Sequence, residues 1–417
     1  MGNTIAEKIL ARVSGREDVK VGDIVNAKVD VAMSHENAGL VRRIFSEIGV
    51  ERVWDPDRIV IIFDHRVPAE SVKTATGQKT IRDFVEEQGI KHFYDINTGI
   101  CHQVLAEKGF SRPGILLVGT DSHTTTAGAF GAFATGIGAT EMAGVWATGE
   151  LWLRVPPTIK IEIRGNFQKM VSAKDVILHI IGEIRADGAD YRAVEFYGET
   201  VEGMGISERM TLSNMSMEMG AKVAFVPPDD KTFEYVEPRA KGWWEPVYAD
   251  EDAEYERELV FDVSSLDYQV AFPHRVDNVK PISSAKGIRI HQAVLGSCTN
   301  GRLEDLRIAG GILKGKKVHK GVRLIVIPAS WDIYMSAMKE GLLEVFIESG
   351  GVIVNPGCGP CLGAHQGLLA PGERCIASTN RNFQGRMGSP DAEVYLASPA
   401  VVAASSIAGE IIAPEEV

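Results

Sequence analysis

Short runs of apolar, often β-branched residues alternate along the chain with longer stretches in which apolar residues recur every three or four positions. The first pattern predicts buried strands and the second predicts amphipathic helices. Strands are predicted over 58–63, 114–118, 158–163, 288–295, 322–327 and 351–354, and helices over 38–48, 80–87, 174–184 and 331–348. This alternation is typical of an α/β protein with largely parallel sheets.

Two proline-bearing stretches divide the chain. Residues 153–158 hold two prolines after a Gly- and Ala-rich segment, and residues 272–286 hold two prolines and a pair of serines. We therefore expect three α/β domains, over 1–155, 156–280 and 281–417. The acidic, aromatic stretch 227–257 is interpreted as an exposed insertion or an irregular loop.

Polar motifs begin where four of the predicted strands end. Asp64-His65 follows the first, and Gly-Thr-Asp-Ser-His (119–123) follows the second. Gly-Ser-Cys-Thr-Asn (296–300) and Asn-Pro-Gly-Cys-Gly-Pro-Cys (355–361) follow two later strands. Open α/β sheets bind ligands at the carboxyl ends of their strands, so we expect these motifs to meet in one site.

Three of the five cysteines, Cys298, Cys358 and Cys361, lie in these motifs. Thiolates are the ligands of iron–sulfur clusters, and three of them would leave one iron of a four-iron cluster open to substrate. Two alternatives stay open on the cysteines alone. One is a structural zinc site with His365 as a fourth ligand, and the other is a redox or structural dithiol in Cys-Gly-Pro-Cys. Cys375 is expected to be a core thiol, and Cys101 is not assigned.

Three of the ten histidines also lie in polar motifs: His65 beside Asp64, His102 beside Cys101, and His123 after Asp121-Ser122. A carboxylate near an imidazole raises its pKa and fixes its tautomer, which suits acid–base chemistry. Six other histidines, His35 among them, are interpreted as structural or surface residues.

Composition narrows the class of partner. A net charge of −12 without a basic run disfavours nucleic acid or an anionic membrane as partner. The odd, sparse cysteines argue against a disulfide framework and favour a reducing cytoplasm. No segment looks like a membrane span or a signal peptide, and Asn3 or Thr4 is expected to cap an N-terminal helix. The Gly-rich stretch 128–149 lacks the third glycine of a dinucleotide fingerprint and is interpreted as a packed loop and helix.

Four motifs, in this order, resemble the aconitase superfamily, and within it the large subunits of isopropylmalate dehydratases and homoaconitases. They are Gly-Thr-Asp-Ser-His-Thr at 119–124, Gly-Ser-Cys-Thr-Asn at 296–300, Cys-Gly-Pro-Cys at 358–361 and Asn-Arg-Asn-Phe-Gln-Gly-Arg at 380–386. The resemblance covers nearly the whole chain. It implies three α/β/α domains with largely parallel sheets around a central iron–sulfur cleft, without the swivelling fourth domain of single-chain aconitases.

The resemblance also implies roles for individual residues. One [4Fe–4S] cluster, with one iron not ligated by protein, would be held by Cys298, Cys358 and Cys361. The catalytic histidine–carboxylate pairs would be His65 with Asp64, His102 with Asp121, and His123 with Glu218. Substrate would be bound by Ser34, Ser122, Asn214, Asn380, Arg381 and Arg386. Ser34 departs from aconitases, which have a glutamine there. The arginines suit this role on chemical grounds, because a guanidinium binds a carboxylate bidentately.

The implied activity is a hydro-lyase reaction that interconverts 2-isopropylmalate and 3-isopropylmalate by dehydration and rehydration, in leucine biosynthesis. A homoaconitase, or a dehydratase for dimethylmalate or a methylcitrate, is the alternative, and an iron–sulfur sensor is a third possibility. The chain ends at Val417 without a segment that matches the swivel domain. A separate small subunit is therefore expected to supply the catalytic base and further contacts to a small hydroxy-carboxylate substrate.

Overall fold

A parallel sheet of five strands organises the N-terminal part of the chain, and the computed structural model describes residues 2–417. The elements of this part are α1 (Ile5–Ser14), β1 (Ile24–Lys28), β2 (Val31–Ser34), α2 (Ala38–Ile48), β3 (Ile59–Ile62), α3 (Val72–Gln88), β4 (His92–Tyr94), α4 (Cys101–Glu107), β5 (Leu116–Gly119), a 3-10 helix (Ser122–Phe130), β6 (Phe133–Gly136), α5 (Ala139–Thr148) and β7 (Glu150–Arg154). The strand order is β4-β3-β2-β5-β6, all parallel. β1 and β7 form a separate antiparallel pair.

A second parallel sheet, of four strands, follows. Its elements are β8 (Thr158–Arg164), α6 (Ala173–Ile184), β9 (Ala193–Tyr197), α7 (Glu199–Gly203), α8 (Ile206–Met215), a 3-10 helix (Ser216–Met219), β10 (Val223–Phe225), α9 (Asp230–Val236) and β11 (Arg257–Asp262). The strand order is β10-β9-β8-β11. All four strands run parallel, and β10 and β11 form the two edges of the sheet.

The third sheet has seven strands in the order β13-β12-β18-β17-β14-β15-β16. Its elements are β12 (Gln269–Ala271), β13 (Val279–Pro281), a 3-10 helix (Ile282–Ser284), β14 (Gln292–Gly296), α10 (Ser297–Asn300), α11 (Leu303–Leu313), β15 (Arg323–Ile327), α12 (Trp331–Lys339), α13 (Leu342–Glu348), β16 (Val352–Ile353), a 3-10 helix (Gly359–Leu362), β17 (Arg374–Ala377), β18 (Glu393–Leu396), α14 (Pro399–Ala408) and a 3-10 helix (Pro414–Glu416). The five strands from β14 to β18 run parallel, whereas β12 pairs antiparallel with β13 and β18.

The α/β class with largely parallel sheets is confirmed, and all six predicted strands are present with shifted ends. Sheet membership changes between β11 and β12, whereas the predicted boundary lies at 280/281. The division into three domains stays a prediction. Within residues 2–417, no helix has both the length and the apolar character needed to cross a bilayer.

Capping residues decide where several helices begin and end. Thr4 caps α1 in a reciprocal capping box with Glu7. The Ser71 side chain accepts the Thr74 N–H, so α3 begins well before the predicted start at residue 80. The single helix predicted over 331–348 is wrong, because Gly341, at φ 75°, separates α12 from α13.

Buried apolar residues form one large core beneath the second and third sheets and another around the first. The core around the first sheet also includes Ala193, Val223 and Phe225, which belong to the second sheet. The first sheet therefore completes its core with side chains that come from later in the chain.

The predicted insertion 227–257 begins with α9, and residues 237–253, which we call the strap, then run irregularly along the first sheet's layer. Arg112 donates to Trp243 O at 2.9 Å, and the Asn3 N–H donates to Asp250 Oδ2 at 2.8 Å. Gly109, at φ 78°, allows close approach, since a Cβ there would lie 1.8 Å from Arg239 O. The irregular conformation agrees with the interpretation of residues 227–257 as an irregular loop. The strap is nevertheless packed against the N-terminal part of the chain through these contacts.

Candidate active site

Three neighbouring strands of the first sheet end beside one another in polar residues. β2 leads into His35 and Glu36, β3 into Asp64 and His65, and β5 into residues 120–123. Since β3, β2 and β5 are adjacent and parallel, these residues share one edge of the sheet. Polar side chains are therefore concentrated where the α/β rule places ligand sites.

The third sheet brings its own polar motifs to the same place. Cys298 follows β14, Cys358 and Cys361 follow β16, and residues 380–386 follow β17. The two sheets meet where the Cys358 N–H donates to Asp64 O at 2.9 Å. The second sheet's layer adds Asn214 and Glu218, at and just beyond the end of α8.

The turn that carries Cys298 depends on close backbone packing. Gly296 has φ 133°, and a Cβ there would lie 2.1 Å from Ile327 O. Ser297 has φ 74°, which is uncommon for a residue with a side chain. Strained backbone of this kind is concentrated at functional sites, and here it turns the chain from β14 directly into the cysteine.

Asp64 and His65 form the first carboxylate–imidazole pair. Asp64 Oδ1 lies 2.5 Å from His65 Nδ1, and Asp64 Oδ2 accepts the Cys101 N–H at 2.7 Å. Burial opposes ionisation of both groups, but Asp64 raises the pKa of His65 well above its usual range, and His65 in turn lowers the pKa of Asp64. The pair therefore favours a protonated imidazole beside a carboxylate.

Asp121 contacts three histidines. Its Oδ1 lies 2.8 Å from His102 Nε2 and accepts the His123 N–H at 2.8 Å, while its Oδ2 lies 3.4 Å from His65 Nε2. Burial acts to raise the pKa of Asp121, but these hydrogen bonds hold it well below its usual range. A single buried carboxylate thus orients groups from three segments of the chain.

Glu218 links the third imidazole to an arginine. Its Oε1 lies 2.7 Å from His123 Nε2, and Arg381 Nε donates to the same carboxylate at 3.0 Å. Burial favours the neutral acid, but His123 and Arg381 lower the pKa of Glu218. Arg381 also lies over the Phe383 ring, with its Cζ 6.0 Å from the ring centroid, so the guanidinium has a fixed position.

Two buried amides contact the sulfur of Cys298, and one of them, Asn380, also contacts Cys361. Asn214 Nδ2 and Asn380 Nδ2 each donate to Cys298 Sγ at 3.3 Å, and Asn380 Oδ1 lies 3.6 Å from Cys361 Sγ. Asn214 also accepts from Thr299 and Asn380 through Oδ1. Its contacts suit it to hold Cys298, and its predicted contact with substrate stays a prediction. Amide N–H···S bonds of this kind tune sulfur ligands.

The three cysteines form no disulfide within residues 2–417; Cys361 is buried, and Cys298 and Cys358 are partly buried. Burial raises the pKa of Cys298 to about 11 and that of Cys358 further, so their thiolates need a cation beside them. Among residues 2–417, the only group of His, Cys, Asp and Glu ligand atoms that all lie within 4.8 Å of one another is His35, Glu36, Asp64 and His65. The three cysteines do not belong to such a group within these residues. Three thiolates are a ligand set that suits an iron–sulfur cluster.

His365, the fourth ligand of the zinc alternative, and the two other cysteines have different surroundings. His365 Nε2 contacts Pro68 O at 2.9 Å, so that nitrogen is engaged away from the cysteines. Cys375 is fully buried within β17, as expected for a core thiol. Cys101 is also buried, and burial raises its pKa well above the usual range, which keeps it a thiol.

Two predicted substrate-binding residues carry polar atoms that have no hydrogen-bond partner among residues 2–417. These atoms are Ser34 Oγ and Arg386 Nε, and both are buried. A buried guanidinium nitrogen without an acceptor is costly, so Arg386 has donor capacity left for a ligand. Ser122 lines a cavity of about 390 Å³ together with Tyr191 and Lys222. The substrate contacts of all three stay predictions.

Sequence reasoning missed His35 and Glu36. The His35 ring stacks on His65 with centroids 3.8 Å apart and planes 13° apart. Glu36 accepts the His65 N–H at 3.0 Å and the Arg66 N–H at 2.9 Å. Both follow β2 directly, so the strand-end rule would have identified them if 31–34 had been predicted as a strand.

Comparison with known proteins gives consistent matches over the whole chain. A sequence profile of the aconitase family (aconitate hydratase) matches residues 7–287 and 280–409. The 3-isopropylmalate dehydratase large subunit 1 of Methanopyrus kandleri is 59% identical over 99% of both chains. The probable methanogen homoaconitase large subunit of Methanothermobacter thermautotrophicus is 53% identical, over 99% of this chain and 97% of that one. The structure of Thermococcus kodakaraensis aconitase X aligns with a TM-score of 0.49 at 12% identity, over 86% of this chain and 84% of that one.

Proposed function

Because the chain belongs to the aconitase family, we propose that it is the large, catalytic subunit of a 3-isopropylmalate dehydratase. The enzyme is a hydro-lyase with an aconitase-like α/β fold. The reaction would remove a hydroxyl group and a proton from neighbouring carbons of isopropylmalate and add water back with the two positions exchanged, as leucine synthesis requires. The observation that carries the proposal is the meeting of three free cysteines with three carboxylate–imidazole pairs at the strand ends.

A [4Fe–4S] cluster fits the cysteines, and Cys298, Cys358 and Cys361 would hold it. Three ligands leave one iron without a protein ligand, and that iron supplies Lewis-acid polarisation of the substrate hydroxyl and carboxylate when the cluster is bound. Asn214 and Asn380 would hold the sulfur of Cys298 in place. The backbone contact between Cys358 and Asp64 brings the acid–base pair against the metal-binding loop.

His65 is the proposed proton donor to the departing hydroxyl. Asp64 fixes its Nδ1, so the proton on Nε2 is the one to be transferred. The Nε2 atom lies 3.4 Å from Asp121 Oδ2, which gives it a nearby carboxylate while substrate is absent. His102, oriented by Asp121, and His123, oriented by Glu218, would complete the hydrogen-bond network around the reacting carbons.

Arg381 and Arg386 are the proposed carboxylate-binding groups. Arg381 is fixed by Glu218 through Nε, which leaves its two terminal nitrogens for substrate. Arg386 has an unpartnered buried Nε. Charge developing on a substrate carboxylate as the carbon-bound proton leaves would be stabilised by these guanidinium groups. Ser34, Ser122 and Asn380 are proposed as further substrate contacts.

A small subunit would complete the site. Relatives named as large subunits imply such a partner, and we propose that a swivel-type small subunit supplies the base that removes the carbon-bound proton. The five free thiols support a reducing compartment, and we place the enzyme in the cytoplasm.

An anaerobic hydratase assay tests the proposal. The full chain is reconstituted with iron and sulfide, mixed with a candidate small subunit, and followed by enoate absorbance on isopropylmalate. Turnover of isopropylmalate above homoaconitate, citrate and methyl-substituted malates is the expected result, and Cys358→Ser should remove it together with cluster absorbance. Absence of turnover on every acid, with the cluster bound and the small subunit associated, would contradict the proposal.

Homoaconitase is the second candidate function. The observation that favours it is the 53% identity to a chain named as a methanogen homoaconitase large subunit. The same site chemistry would serve a tricarboxylate, since the arginines recognise carboxylates and not the side group. Preference for homoaconitate over isopropylmalate in the same assay would select this function.

A further inference from the structure

Lys174, near the start of α6, is a buried lysine whose ammonium group contacts backbone carbonyls. Its side chain is 0% exposed, and its Nζ donates to Ser378 O at 2.9 Å and Thr379 O at 2.5 Å. Within residues 2–417 it forms no salt bridge. Burial lowers the pKa of Lys174 to about 7, which reflects the cost of a charge held among neutral groups.

The two nearby carboxylates are engaged elsewhere. Asp175 accepts the N–H groups of Ser172 and Gln269. Asp305 accepts from Asn300 Nδ2 and from the Arg302 N–H, each at 2.9 Å. Burial raises the pKa of both acids, and within residues 2–417 neither carboxylate forms a salt bridge with Lys174.

The backbone that Lys174 holds leads directly to the cysteines. Ser378 and Thr379 immediately precede Asn380, whose amide contacts the sulfur atoms of Cys298 and Cys361. Against the effect of burial, the pKa of Lys174 is raised by Asp305 first, and then by the charges of Cys298 and Cys361. The ammonium of Lys174 therefore binds the segment that positions Asn380, and the Asn380 amide contacts two of the three proposed cluster ligands.

We propose that Lys174 supplies countercharge to the iron–sulfur cluster from the side of Ser378 and Thr379, in addition to the buried Arg302 that donates to Cys298 O at 2.9 Å. A four-iron cluster with three thiolate ligands carries a net negative charge, and burying it requires a nearby positive group. Lys174 would supply that charge while fixing the carbonyls of Ser378 and Thr379. Lys174 is thus a positioning and electrostatic residue that does not touch substrate, and its assignment rests on the proposed function.

Neutral variants of Lys174 test the proposal. Lys174→Gln removes the charge and keeps a hydrogen-bond donor, whereas Lys174→Met removes both. The matched control is Lys231→Gln, because Lys231 also donates its ammonium to backbone carbonyls, those of Glu202, Gly203 and Met204, away from the cysteines. The full chains are purified without cluster, their thermal unfolding is measured, and they are then reconstituted with iron and sulfide under anaerobic conditions.

Lys174→Gln should unfold near the wild-type temperature without cluster, whereas Lys174→Met leaves the carbonyls of Ser378 and Thr379 without this donor and should unfold at a lower temperature. Both variants should then lose iron and sulfide to a chelator about tenfold faster than wild type. The midpoint potential of the bound cluster should move to more negative values, because the reduced cluster loses more stabilisation than the oxidised one. Lys231→Gln should match wild type in both measurements.

Other outcomes overturn the proposal. Wild-type cluster retention and potential in Lys174→Gln would remove the countercharge role. Failure of both cluster-free variants to fold would assign Lys174 to the fold instead. Failure of the wild-type chain to take up iron and sulfide would overturn the proposed function itself, which distinguishes the two results.

Discussion

Glu36 holds the backbone of His65, the proposed proton donor. Its carboxylate accepts two successive backbone N–H groups, those of His65 and Arg66, and is nearly buried. His35, its neighbour in sequence, covers one face of the His65 ring. The direction in which His65 presents its proton is therefore set by the segment after β2.

Glu36→Gln should lower kcat by about tenfold and leave KM nearly unchanged, because one accepting oxygen becomes a donor and His65 loses its fixed position. Steady-state kinetics of the reconstituted enzyme measure both constants. Glu70→Gln is the control, since exposed Glu70 accepts from the side chains of Arg66, Ser71 and Thr74 and makes no contact with the His65 backbone N–H. A variant with wild-type kcat would show that the backbone of His65 does not need this carboxylate.

Arg386→Lys should raise KM by about tenfold although the charge is kept, because lysine cannot reproduce the two parallel hydrogen bonds of a guanidinium. Substrate titration of initial rates gives the measurement. Arg164→Lys, at an exposed arginine paired with Glu162, serves as the control. Equal KM values for Arg386→Lys and wild type would exclude a bidentate contact.

The pairing of His123 with Glu218 marks the limit of sequence reasoning at this scale. The residues are 95 positions apart and come from different sheet layers. Spacing contains no information about such a contact, and it entered only through the resemblance. The pair Asp64-His65, by contrast, is adjacent in sequence and could be predicted from position at a strand end.

Among the secondary-structure elements, the strand-to-loop transitions carry the chemistry. Strand ends at β3, β5, β14 and β16 were predicted from apolar runs that stop at polar residues, and each one is present. β2 was not predicted, because Val-Ala-Met-Ser is a short run with little β-branching. The break between α12 and α13 at Gly341 was not predicted, because a single glycine in an apolar periodic stretch is compatible with a continuous helix until its φ is known.

Gly296→Ala should prevent cluster uptake and lower the free energy of unfolding by about 2 kcal/mol or more, because the added methyl group would collide with Ile327 O. Iron and sulfide content and denaturant unfolding measure the two effects. Gly311→Ala, at an exposed position of α11 with open space around it, should change stability by less than about 1 kcal/mol. Normal cluster uptake in Gly296→Ala would show that the β14 turn tolerates a side chain.

For the whole molecule, the buried carboxylates decide how stability depends on pH. Asp121, Glu218 and Asp64 have pKa values lowered by their partners, so their contribution is present above the ordinary carboxyl pKa and is lost as the pH falls. Asp175 behaves in the opposite way, because burial raises its pKa to about 6. Its contribution is complete below its unfolded pKa of about 3.9 and is lost as the pH rises through about 6.

Asp175→Asn should remove the contribution of Asp175 to the pH dependence of folding stability. Between about pH 4 and pH 6, the cluster-free wild-type chain should lose roughly 2 kcal/mol of stability relative to the variant. Denaturant unfolding of both chains across this range gives the difference at each pH. A constant difference would show that Asp175 titrates alike in the folded and unfolded chains.

The arrangement of the three sheets was less accessible to sequence reasoning than the sheets themselves. Apolar periodicity identified the strands, but the pairing of β12 with β18 joins residues more than a hundred positions apart. The strap was recognised as irregular from its composition. Its course along the first sheet follows from contacts with Gly109, Arg112 and Asn3, which no local pattern encodes.

The strap determines when the N-terminal part of the chain can complete its folding during synthesis. The N–H groups of Asn3 and Ile5, at the very start of the chain, are satisfied by Asp250 and by Glu195. A ribosome releases the N-terminus first, so α1 emerges long before either acceptor exists. Until about residue 250 has left the exit tunnel, the first sheet lacks its closing segment. Nascent chains stalled before the strap should therefore be digested readily by protease, and chains stalled well beyond it should resist.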